Sequence, residues 1–217
     1  MTGGTVLFDL DGTLTDPGLG ITNAILYAFR EMGLPPVPRE TLYPYIGPPL
    51  IWSFQTFAHM DLADARRATA LYRAYYADRG KSENAVYPGI PQALRSLGAR
   101  GYRLAVATSK PEDLAREVLE LFRLTDYFDF IAGSDPAKIT RVTKGEVLAY
   151  ALEQGGIDPR AAVMVGDRVY DVEGAREHGL PCIGVRYGYG SRQELQDAGA
   201  AALAETPEKI QTCVEAI

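Results

Sequence analysis

Four times along this chain a short apolar run rich in β-branched or small residues stops abruptly at a polar turn. Thr5-Val6-Leu7-Phe8 runs into Asp9-Leu10-Asp11-Gly12, and Arg103-Leu104-Ala105-Val106-Ala107-Thr108 into Ser109-Lys110-Pro111. Ala161-Ala162-Val163-Met164-Val165 runs into Gly166-Asp167, and Pro181-Cys182-Ile183-Gly184-Val185 completes the set, with Tyr127 to Ala132 a weaker fifth member. Runs that are apolar throughout, with no alternation, read as strands buried on both faces. Helical patterns fill the intervals at Pro111 to Arg123, Thr143 to Gln154 and Val169 to Gly179. Strand alternating with helix predicts an α/β fold: a doubly wound parallel sheet whose ligands bind at the carboxyl ends of the strands.

One stretch breaks the rhythm. Residues 17–84 contain no convincing strand, whereas Ile21, Ala24, Ile25, Ala28, Phe29 and Met32 recur at helical spacing up to Gly33, and Leu71, Tyr72, Tyr75 and Tyr76 mark another helix ending near Gly80. The expected organisation is therefore a Rossmann-like core of residues 1–16 and 85–217, with a small helical domain of residues 17–84 inserted after the first strand.

Composition narrows the function. The net charge of −6 and pI of about 5.0 over 217 residues argue against nucleic acid and anionic membrane as partners, while leaving room for a small anionic substrate at a local cationic site. No run approaches the roughly 18 apolar residues of a membrane span, and Thr5 to Leu10 lacks the basic flank of a signal peptide. Cys182 and Cys213 fit no metal-binding spacing and suit a reducing compartment, so the expected location is the cytoplasm.

Asp9 and Asp11 stand two apart at a strand end, which sends both side chains to one side if the strand persists that far. Converging carboxylates repel unless they share a proton or a divalent cation, and an all-oxygen site suits magnesium. Asp167 and Asp171, at i and i+4 where another strand meets its helix, supply two further carboxylates. Taken alone, such a pair is more often plain charge complementarity with a helix N-terminus. Thr143-Lys144-Gly145-Glu146 has the form of a capping box, which puts Lys144 in a first helical turn, against the helix dipole. Such a lysine is either a solvated exception or a sign of a bound anion. Thr108 and Ser109 offer hydroxyls and an amide at another strand end, a feature that is also common in ordinary turns. Carboxylates for a metal, a lysine and hydroxyl donors at one sheet edge form the set that phosphoryl transfer needs, because its transition state spreads negative charge over the equatorial oxygens.

In order, Asp9-Leu10-Asp11-Gly12-Thr13-Leu14-Thr15-Asp16, Thr108, Lys144 and Gly166-Asp167-Arg168-Val169-Tyr170-Asp171 resemble the four motifs of the haloacid dehalogenase superfamily, nearest its phosphoglycolate phosphatase and 5'-nucleotidase-like phosphatases. The resemblance covers nearly the whole chain. It implies a magnesium-dependent phosphatase with Asp9 as nucleophile and Asp11 as general acid and base. Gly12, Thr108, Ser109 and Lys144 would bind the substrate, and Asp9, Asp11 through its carbonyl, Asp167 and Asp171 would hold Mg2+. The helical insert is similar to the family's cap, with Gly47-Pro48-Pro49 like its substrate loop. Many relatives place proline after the third-motif lysine where this chain has Gly145, which leaves Lys138 as a minor rival to Lys144. A phosphomutase would keep the same motifs. The implied substrate is a small phosphorylated metabolite, phosphoglycolate-like acids ranking slightly above nucleoside monophosphates, with Tyr45 and Trp52 as possible stacking residues for a base. His59, His178 and Gly188-Tyr189-Gly190 carry no expected role.

Overall fold

The computed structural model describes residues 3–135, 137 and 140–217. Two compact units emerge, Met1–Thr15 with Val86–Ile217, and Asp16–Ala85. In chain order, β1 (Thr5–Phe8) is followed by β2 (Thr15–Asp16), then by the helices of the second unit, α1 (Gly18–Glu31), α2 (Leu50–Phe57) and α3 (Leu62–Tyr75). The chain returns through β3 (Ala85–Val86), α4 (Ile90–Ala99), β4 (Arg103–Pro111), α5 (Glu112–Leu121) and β5 (Phe130–Ser134). The remaining elements are α6 (Lys144–Gln154), β6 (Ala162–Gly166), α7 (Val169–Glu177), β7 (Cys182–Val185), α8 (Arg192–Ala198), β8 (Ala202–Ala204) and α9 (Ile210–Ala216). Among the described residues no helix is long and apolar enough to cross a membrane.

The larger unit is a six-stranded sheet of order β5-β4-β1-β6-β7-β8 in which every pairing is parallel. β1 lies at the centre, with Phe8 level with Val106 on one side and Val165 on the other. Alternation along β1 fills both layers: Val6 and Phe8 pack with Leu94, Val118 and Ile183, while Leu7 packs on the opposite face with Val147, Leu148 and Met164. Each of these fully buried side chains stabilises the fold by about 1.5–3 kcal/mol. The connections run from β1 to β4 and β5 on one side and to β6 and β7 on the other. The strand order therefore reverses at the carboxyl end of β1, which is where open α/β sheets bind ligands.

Several local expectations change. β4 does not stop at Thr108; it continues through Ser109 and Lys110 to Pro111, with a register shift between Ala107 and Pro111. Pro111 is tolerated because it ends the strand and opens α5, where its missing amide costs nothing. The fifth strand starts at Phe130, because Thr125–Tyr127 form a 3-10 turn. β8, α8 and α9 have no counterpart in the sequence reading.

The second unit is helical. α1 and α3 pack together, Tyr72 and Tyr76 stack at 5.6 Å with their planes 7° apart, and the Gly20 amide donates to the Glu83 carbonyl at 2.9 Å. A 3-10 segment (Arg39–Tyr45) and α2, neither expected, complete it. Tyr45 is 4% exposed and packs on Phe54 and Phe57, and burial lifts its phenol to about 12. Tyr45 is thus a packing residue and offers no free face for stacking a base. Trp52 is 46% exposed.

Candidate active site

The Asp9 amide donates to the Val165 carbonyl at 2.9 Å, carrying the β1–β6 ladder one step past Phe8. The chain then turns sharply, the Leu10 carbonyl accepting from the amides of Leu14 at 2.9 Å and Thr15 at 3.0 Å. The strand therefore does not persist to Asp11, and the two carboxylates part company. Asp9 joins Asp167 and Asp171, whose ligand oxygens all lie within 4.8 Å of one another, and the Asp11 side chain is not a member of that group. Instead, both Asp11 carboxylate oxygens accept from Lys110 Nζ, at 2.6 and 2.9 Å.

Lys144 is buried at the start of α6, placed by a complete capping box: the Glu146 amide donates to Thr143 Oγ1, and the Thr143 amide to Glu146. Its ammonium donates to the Ala107 carbonyl at 3.0 Å and lies 2.9 Å from Asp9 Oδ1 and 2.7 Å from Asp171 Oδ1. Its lack of fit with the helix dipole is thus answered by carboxylates of the chain itself. Burial alone would depress Lys144, but Asp171 and Asp9 override that and hold it above its usual range.

Asp167 and Asp171 are 0% and 1% exposed. Burial, then the charge of each other and of Asp9, raises Asp167 well above the usual carboxylate range, and burial raises Asp171 against the opposing pull of Lys144. Among the described residues, the Oδ1 atoms of Asp9, Asp167 and Asp171 have no partner of acceptable hydrogen-bond geometry, although those of Asp9 and Asp171 are within ion-pair distance of Lys144. Three buried carboxylates against one ammonium leave a formal excess of two negative charges. That is too costly to bury uncompensated. Orphaned oxygens and surplus charge together fit a divalent cation with hard oxygen ligands.

The wall of this cluster is built from glycines. Gly12 has φ +86°, and a Cβ there would overlap the Asp167 carboxylate; one on Gly188 would overlap the Asp167 side chain and the Gly12 carbonyl. Between Gly188 and Gly190 the Tyr189 amide donates to Asp167 Oδ2 at 2.8 Å. The Gly188-Tyr189-Gly190 loop, given no role from sequence, orients the Asp167 carboxylate. Thr108 is buried and its Oγ1 accepts from the Lys110 amide at 3.2 Å. Ser109 is half-buried, and among the described residues no hydrogen bond joins it to the acidic cluster. Lys138 lies outside the described residues. Lys110 is the site residue that sequence reasoning missed. Its signal was the two-residue spacing from Thr108, which in an extended chain puts both on one side.

A doubly wound sheet with buried carboxylates and a buried lysine at its switch point has the parts of a metal-assisted phosphoryl-transfer enzyme. The chain belongs to the haloacid dehalogenase-like hydrolases, whose family model matches residues 6–185, and it is a phosphatase of that family. It is 41% identical over 191 residues to a 5'-nucleotidase of Pseudomonas aeruginosa, covering 88% of this chain and 86% of that one. It is 34% identical over 209 residues to a phosphoglycolate phosphatase of Cupriavidus necator, covering 94% and 90%. A protein named tyrosine-protein kinase PtkA, from Mycobacterium tuberculosis, is 43% identical over 187 residues, and the match covers 85% of this chain but 62% of that protein. Among solved structures, a predicted phosphatase from Clostridium acetobutylicum superposes with a TM-score of 0.95 at 40% identity over the full length of both chains.

Proposed function

We propose that the protein hydrolyses a small phosphate monoester with magnesium, through a phosphoaspartate on Asp9. The observation that carries this reading is the buried cluster of Asp9, Asp167 and Asp171 around Lys144, with unsatisfied carboxylate oxygens and an excess of negative charge. Magnesium held by Asp9, the Asp11 carbonyl and Asp167, with Asp171 behind them, would screen the substrate's charge from the nucleophile and polarise the phosphoryl group. An Asp9 oxygen attacks phosphorus as the bond to the ester oxygen breaks, and Asp11 donates a proton to that leaving oxygen. Asp11 then takes a proton from the water whose oxygen bonds to phosphorus, the bond to Asp9 breaks, and inorganic phosphate leaves with the Asp9 carboxylate restored. Lys144, Thr108, Ser109 and the Gly12 backbone bind the phosphoryl oxygens, and Lys144 counts most where charge is greatest, in the transition state.

Core groups that contact only phosphate, metal and the scissile oxygen cannot tell one monoester from another, so discrimination falls to the helical unit acting as a cap. A phosphoglycolate-like acid is the first substrate reading. Nucleoside 5'-monophosphates are the second, favoured by the 41% identical relative of that name. Hydrolysis of a monoester made chiral at phosphorus with oxygen isotopes tests the mechanism; two successive in-line displacements, first by Asp9 and then by water, are expected to give net retention of configuration, and inversion would mean direct attack by water. Comparing kcat/KM for 2-phosphoglycolate and a set of nucleoside 5'-monophosphates separates the substrate readings. An arm with ATP and a tyrosine peptide, expected to give no phosphopeptide, tests against the kinase relative.

A further inference from the structure

Lys110 is a buried cation that the proposed chemistry leaves unused. It is 9% exposed, and its ammonium makes two short contacts to the two oxygens of one carboxylate, that of Asp11. The placement follows from β4: the register shift between Ala107 and Pro111 keeps the chain extended past Thr108, and the Lys110 amide bonds to the Thr108 hydroxyl. Asp11, by contrast, sits on a turn just beyond β1, with no strand pairing to fix its side chain apart from an isolated bridge to Thr15. The site thus contains two lysines with separate partners, Lys144 on Asp9 and Asp171, and Lys110 on Asp11.

We infer that Lys110 is the positioning residue for Asp11, fixing the direction of its carboxylate toward the scissile oxygen and the attacking water. This rests on the reading of Asp11 as the proton-transfer group. A proton-transfer group must sit within hydrogen-bond reach of the atom it serves, and a displacement of about 1 Å can cost about a hundredfold in rate. An ammonium that grips both oxygens removes the rotation that a side chain on a turn would otherwise have. Arginine, with its planar two-pronged donor set, can grip a carboxylate in the same way, so it is the conservative replacement.

The test combines steady-state kinetics with calorimetric titration of inorganic phosphate in the presence of magnesium, on full-length protein. Lys110→Met is expected to lower kcat about tenfold or more, with phosphate affinity within about threefold of wild type and partial recovery of kcat in Lys110→Arg. In an Asp11→Asn background the same change is expected to cost nothing further, because the group it positions is gone. A wild-type kcat in Lys110→Met overturns the inference. So does a loss of phosphate affinity of about tenfold, which would make Lys110 a direct phosphate ligand, and so does a multiplicative loss in the double variant. Asp9→Asn and Asp11→Asn are measured alongside; full activity in either removes the underlying mechanism, and the inference with it, whatever Lys110→Met does.

Discussion

The two units of this molecule distribute their polar groups in opposite ways. In the sheet unit the carboxylates of Asp9, Asp167 and Asp171 converge on one buried point, and the chain's whole net charge of −6 belongs to that unit. The helical unit, residues 16–85, has seven basic and seven acidic side chains that cancel, and it gathers Trp52 and six of the thirteen tyrosines. The contrast comes from geometry. Parallel strands all end at one edge, so the residues just past their ends meet there. Packed helices have no common edge, and their side chains diverge from the surface. Chemistry that needs several converging charges belongs to the first arrangement, and recognition by shape and apolar contact to the second.

The largest expected effect tests the sheet side of that comparison. Removing divalent ions with a chelator is expected to abolish turnover and to lower the melting temperature, with added magnesium restoring both. Saturation at about a hundred times the dissociation constant is worth about 2.7 kcal/mol, or about 5–10 °C for a chain of this size. Asp167→Asn should lose most of that thermal response. An unchanged melting curve in chelator would mean that the buried charge is compensated by protons instead.

A smaller effect is expected from the helical side. Trp52→Ala should lower kcat/KM for the preferred monoester about tenfold, which is about 1.4 kcal/mol, while turnover of p-nitrophenyl phosphate stays unchanged. Equal losses on both substrates would break the division between chemistry and discrimination.

The smallest concerns the scaffold behind Lys144. Thr143→Ala removes half of the capping box and is expected to cost about 0.5–1 kcal/mol, read as a modest fall in melting temperature. Hydrogen bonds from the Thr143 and Val142 amides hold the Glu146 carboxyl below its usual range. A depressed carboxylate stabilises the folded state above its ordinary titration range, and that contribution is lost as the pH falls through its folded value. The melting-temperature gap between wild type and Glu146→Gln should therefore narrow in acid.

How much of this could be read in the sequence depends on what kind of signal each part leaves. β1, β4, β6 and β7 were legible because strands buried on both faces need unbroken apolar runs. The capping box gave the start of α6 to the residue, because its two side chains answer to backbone groups three positions apart. β8 was missed: Ala202-Leu203-Ala204 is a three-residue edge strand, too short and too rich in helix-favouring alanine to mark it. α2 hides behind Pro48 and Pro49, which read as loop. In the site, the carboxylates and Lys144 stood out as charges at strand and helix ends. Lys110 did not, because proline after it suggested that the strand had already turned. The place of the Asp11 carboxylate outside the Asp9 cluster was also invisible, since it depends on where the ladder stops.

The central place of β1 also sets the order in which this protein can become active. Thr5 pairs with Arg103 and Ala162, roughly a hundred and more than a hundred and fifty residues later. Asp167 and Asp171 follow β6 directly, so no partial chain lacking the last third of the sequence holds a complete cluster. Pairings this distant in sequence form slowly, since a long loop must close before any contact rewards it. The helical unit draws on one contiguous stretch and is free of that delay. Catalysis in a refolding chain should therefore return only when the sheet closes on its first strand, well after helix content has recovered, making enzymatic activity a clock for the slowest step of assembly.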